Sequence, residues 1–61
     1  MKILRKPEVG QRIGLSPVHI MRLVRQGRFP APVRISDNSI GWPQHEIDAW
    51  IEERIRRRDA G

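Results

Sequence analysis

The chain has no cysteine. Disulfides and thiolate metal sites are therefore closed to it as ways of bracing a small fold, and the composition fits a reducing cytosol. It has no apolar run of about 18 residues, the length a membrane-spanning helix needs. The opening Met1-Lys2-Ile3-Leu4-Arg5-Lys6-Pro7 is basic but too poor in apolar residues for a signal peptide. The expectation is a cytoplasmic protein with no membrane contact. Catalytic signatures are missing too. No HExxH, Gly-rich phosphate loop or nucleophile–base arrangement occurs, and His19 and His45 lack a convincing third metal ligand. With 61 residues there is material for one domain and a small core, and little for the walls of a concave site. A non-enzyme without metal or cofactor is expected.

Acidic residues are scarce where basic ones collect. Residues 1–36 hold eight Lys/Arg against Glu8 alone, a balance of +7. Residues 37–61 hold four Arg against six acids, a balance of −2, which together give the net +5. One positive face is implied. Such a face attracts polyanions, each contacted phosphate releasing counterions. The plain alternative is a solvated basic surface.

Pro and Gly punctuate the chain, and no repeat or low-complexity tract is present. Pro7 suits the first helical position, Glu8 the first turn, and Gly14 a left-handed helix end. Val9 and Ile13 share a face. A helix over about 7–13 follows, with Gly10 a weakness inside it. Ser16 is an N-cap residue, and Pro17 then takes the first helical position. Leu15 before the cap can staple against Ile20. Ile20, Leu23 and Val24 form an apolar stripe and Gly27 a stop, giving a second helix over about 17–26. Two helices separated by Gly14-Leu15-Ser16 match a helix-turn-helix, whose second helix enters the major groove of double-stranded DNA.

Pro30 and Pro32 end helical structure, and Phe29 is expected to fold inward. Val33-Arg34-Ile35 alternates as a half-buried strand does, and Ser36-Asp37-Asn38-Ser39 is turn composition. Ile40-Gly41-Trp42 reads as the return strand, weakened by Gly41. This is a small wing over about 33–42. A closing helix over about 43–57 carries Ile47, Trp50, Ile51 and Ile55 on one face, with Glu52 and Glu53 four residues before Arg56 and Arg57. The fold class is mainly α with a small β-hairpin wing: one winged helix-turn-helix domain over residues 1–61.

Gly14-Leu15-Ser16 with Ile20 opens a series of short stretches. Leu23 to Pro30, Pro32 to Ile35, Ile40-Gly41-Trp42, and Glu46 to Ile51 with Arg54 continue it. In order and spacing, over about residues 3–58, they resemble the AlpA family of small prophage regulators, relatives of phage excisionases in the MerR-like winged-helix group. The resemblance implies a role in prophage or mobile-element biology. One form is activation or repression of a promoter. The other is an excisionase-like recombination directionality factor that bends DNA. It implies contacts with an integrase or RNA polymerase, and a nucleoid location. Pro17-Val18-His19-Ile20-Met21 departs from the family pattern in the recognition helix, so base preference is not carried over from relatives.

Opposite the apolar stripe, the second helix offers Pro17, Val18, His19, Met21, Arg22 and Arg25. Val18 suits a thymine methyl, His19 a base or phosphate, and Arg22 a guanine or phosphate. Arg25, farther along, suits a phosphate, which positions without specifying. Ser16 is a cap and also a candidate phosphate contact at the helix N-terminus. Arg28, with Arg34 and Asn38 on the wing, completes the candidate DNA-binding set. Lys2, Arg5 and Lys6 steer electrostatically. Trp42 and Trp50 are assigned to the core in preference to single-strand stacking. A homodimer or head-to-tail oligomer on DNA would supply the affinity one unit lacks. A different class remains open, a small protein-interaction module such as an antirepressor whose basic face meets carboxylates.

Overall fold

Helix α1, Lys6–Ile13, begins one residue earlier than the sequence suggests. The Glu8 carboxylate reaches back to accept from the Arg5 N–H at 3.2 Å, so an acid at the positive end of the helix also satisfies a free donor. Gly14 closes α1 at φ 73°, and the Leu15 N–H donates to the Gly10 carbonyl. Helix α2, Pro17–Arg25, follows with Ser16 as N-cap. Its end is a Schellman motif: the Arg28 N–H donates to Leu23 O at 2.9 Å and the Gly27 N–H to Val24 O at 3.1 Å. Gly27 sits at φ 72°, a conformation that other residues adopt only with strain.

The computed structural model describes residues 2–61. Among these, three strands form an antiparallel sheet ordered β1-β3-β2. They are β1 (Ile3–Leu4), β2 (Val33–Ser36) and β3 (Ser39–Pro43). Leu4 pairs with Trp42, and Arg34 with Ile40, with an irregularity between Arg34 and Ser36. Strand β1 is an addition to the expected hairpin. It makes β3 the central strand. The wing strand β2 is exposed along its whole length, with Val33 at 41% and Ile35 at 49%. The half-buried reading of that strand is corrected: β2 is the sheet edge. Helix α3, Gln44–Ala60, follows β3 directly with Pro43 as its cap residue and runs three residues past the expected end. The Gln44 N–H donates to Lys2 O at 2.8 Å, tying its start to the N-terminal segment.

The core is Leu4, Val9, Ile20, Leu23, Phe29, Trp42 and Ile47. Phe29 lies between the two indoles, edge-to-face with Trp42 at 5.8 Å and with Trp50 at 4.9 Å. The fully buried Trp42 donates its indole N–H to Pro30 O at 2.7 Å. Trp50 is only half-buried, at the core's edge, because its N–H reaches out to Arg28 O at 3.0 Å and Arg54 stacks on its ring. Leu15 packs against the core, as its place before the cap suggests.

Two glycines have non-local reasons. A Cβ at Gly10 would stand 2.7 Å from the Leu15 carbonyl oxygen. The position is therefore a close approach of the turn onto α1 rather than a weakness in it. A Cβ at Gly41 would meet Ile3, the Leu4 carbonyl and Ile35, all within 2.9 Å. The central strand needs glycine where both neighbours converge.

Among the described residues, every surface ion pair includes a residue of α3. Arg12 meets Asp48 at 3.2 Å, linking α1 to α3. Glu53 takes both Arg56 at 3.0 Å and Arg57 at 3.3 Å, whereas the expected pairing of Glu52 does not form. Exposed pairs of this kind each contribute about 0–1 kcal/mol.

Gly10→Ala is expected to destabilise the domain by about 1–3 kcal/mol in chemical denaturation, although alanine is the better helix former. A second expectation concerns acid. Hydrogen bonds from Arg56, then its charge, hold the Glu53 carboxyl below its ordinary value, with Arg57 adding to both effects. The stability this pairing adds is complete above the ordinary carboxylate range and is lost as pH falls through the lowered value. The helical circular dichroism of the native chain should therefore fall more over that acid range than that of Glu53→Gln.

Candidate nucleic-acid interface

The outward face of α2 follows from its capping and its stripe. The Ser16 Oγ accepts from the His19 N–H at 3.2 Å, and the Ile20 N–H donates to Ser16 O at 3.0 Å. Pro17 has no N–H to satisfy. Ser16 is thus engaged as a cap, and the helix starts at a defined residue. Ile20 and Leu23 are buried and Val24 half-buried, which turns the other side of the helix to solvent.

That side carries Pro17, Val18, His19, Arg22 and Arg25, all exposed. Val18, Arg22 and Arg25 stand at i, i+4 and i+7, in one row along the helix. Val18 is 67% exposed, an apolar side chain held in water at the first turn. Met21 differs from its assignment to this face. It is half-buried and packs against the core, because its position falls at the border of the apolar stripe.

The remaining candidates form separate groups. Arg34 and Asn38 share a cleft of about 330 Å3 with Arg5, Lys6 and Pro7 at the start of α1. Arg5 Nη2 donates to Ser39 Oγ at 3.2 Å, anchoring this basic corner to the wing. Arg5 and Lys6, read from sequence only as steering charges, thus stand beside the wing arginine. Their proximity depends on the sheet, and no local pattern announces it. Arg28 is exposed elsewhere, on a groove of about 420 Å3 with Phe29, Pro30, Trp50 and Arg54.

The electrostatics divide the molecule. Among the described residues, Arg22, Arg25, Arg28 and Arg34 make no ion pair, while Arg12, Arg56, Arg57 and Arg58 each do. No acidic residue lies on α2. The charge of α2 is therefore available to an external anion, whereas the basic wing corner also holds the carboxylate of Asp37. No group of three or more His, Cys, Asp or Glu is placed to hold a metal ion, and no helix is long and apolar enough to cross a membrane, among the described residues.

Ser16→Ala is expected to cost about 1 kcal/mol of stability through the lost cap, measured by thermal or chemical denaturation.

Comparison with known proteins agrees with this architecture. The family model described as "Prophage CP4-57 regulatory protein (AlpA)" matches residues 2–55. A protein of Enterobacteria phage P4, described as "Uncharacterized protein ORF88", is 38% identical over 60 residues, covering 98% of this chain and 68% of its own length. No solved structure matches the chain.

Proposed function

The chain belongs to the AlpA family of prophage regulatory proteins, and from that premise we propose that it is a sequence-specific double-stranded DNA-binding regulator, acting by binding and not by catalysis. The observation that carries the reading is the row Val18, Arg22 and Arg25, exposed on a capped helix with no carboxylate to neutralise it. Helix α2 lies in the major groove with its N-terminal turn toward the bases. Val18 meets a thymine methyl, and Arg22 reads guanine or holds a phosphate near it. Arg25 takes a backbone phosphate. The corner of Arg34, Asn38, Arg5 and Lys6 follows the flanking backbone. Work in a cytoplasm, on a host or prophage promoter, follows from this role.

One such unit buries about 600–1,000 Å2 of its surface on DNA, enough for a half-site. Specificity then comes from neighbouring copies on adjoining half-sites, held in register by the duplex.

Selection of duplexes from a random pool, followed by affinity measurement across a salt titration, tests the reading. A recurrent motif with steep salt dependence is expected. Arg22→Ala should weaken binding and broaden base preference at one position. Arg25→Ala should weaken all sequences alike and lower the salt slope by about one. A pool with no enriched motif and no salt-sensitive binding overturns the proposal.

A further inference from the structure

Helix α3 outruns the body it packs on. Its apolar stripe passes from Ile47, fully buried, through half-buried Ile51 to Ile55, which is 41% exposed. The stripe continues after the core that covers it has ended. With Ile13 of α1 and the edge of Trp50, Ile51 and Ile55 floor a groove of about 310 Å3 between the two helices. This groove lies apart from the outward row of α2 and from the wing corner, with which it shares no lining residue.

Its rim has one sign. Arg12, Arg54 and Arg58 line the groove, and no carboxylate does. Arg12 and Arg58 hold Asp48 and Asp59 outside it, and both arginines remain exposed. Arg54 has no carboxylate partner among the described residues and is kept 4.7 Å over the Trp50 ring. A guanidinium stacked in this way is already oriented, so less freedom is lost when it meets an anion.

We propose that this groove is a docking site for an acidic amphipathic helix of a partner protein, one whose apolar stripe is flanked by carboxylates. Charge complementarity selects that occupant. A nucleic-acid backbone satisfies the arginines but leaves the isoleucine floor wet. A second copy docking symmetrically brings the same arginines face to face. An apolar stripe between carboxylates matches floor and rim together, in the helix-in-groove manner.

The test uses the full chain and a synthetic helical peptide with leucines at i, i+4 and i+7 flanked by glutamates. A control peptide carries lysines in their place. Calorimetric titration should show binding of the glutamate peptide, weakened by salt, and at least tenfold weaker binding of the lysine peptide. Ile55→Ser should weaken the glutamate peptide about tenfold, the loss of one buried aliphatic contact, and Arg54→Gln severalfold. Because Ile55 is exposed, Ile55→Ser should keep its circular dichroism spectrum and its DNA affinity. Failure of the glutamate peptide to bind, or equal binding of the two peptides, overturns the proposal. So does a concentration-dependent dimer in sedimentation that Ile55→Ser abolishes, which marks the groove as a self-association surface. A fall in DNA affinity in Ile55→Ser overturns it in favour of a DNA contact.

Discussion

The segment joining α2 to the wing contains two prolines and cannot rely on its own backbone for hydrogen bonds. What fixes it is the indole of Trp42, which donates to the Pro30 carbonyl while Phe29 is wedged between the two tryptophans. The rest of the domain depends on this junction. It sets α2, through Ile20 and Leu23, against the same core that receives β3 and α3. With Ile20 and Leu23 in that core, Arg22 and Arg25 are turned outward to solvent.

A second organising feature is the unequal use of arginine. On α3, Arg56, Arg57 and Arg58 serve the fold's own surface, pairing with Glu53 and Asp59, while Asp48 takes Arg12 from α1. Arg22 and Arg25 of α2 and Arg34 of the wing make no ion pair among the described residues, although Asp37 stands in the same cleft as Arg34. The near-neutral C-terminal balance read from the sequence is thus largely compensated within α3, and of the N-terminal cations Arg12 alone is ion-paired among the described residues.

How much of this could be read in advance follows from the range of the interactions. Ser16-Pro17 and Gly27 delimit α2 because caps act within one turn, and the structure agrees with that reading to within a residue. The hairpin was legible from its turn composition. Strand β1 was not, since Ile3-Leu4 is too short to show a period and becomes a strand only by pairing with Trp42 and Pro43. Gly10 and Gly41 looked like local defects because the groups that demand them, the Leu15 and Leu4 carbonyls, arrive from other elements. Within the candidate interface, the row on α2 was legible from helical spacing. The meeting of Arg5 and Lys6 with Arg34 was not, because it is made by the sheet. Met21 lies at the stripe's border, where helical spacing alone lets a residue turn either way, and here the core draws it in.

Strand β3 ends at Pro43 and helix α3 begins at Gln44, with no loop between them. The wing and the closing helix are in effect one bent rod. A helix of this length spans about 25 Å at 1.5 Å per residue. A tilt of this rod by about 5° at Pro43 therefore carries the far end of α3 about 2 Å. With no loop to absorb it, a tilt of the wing that leaves this junction unchanged displaces Ile55 and Arg58 sideways.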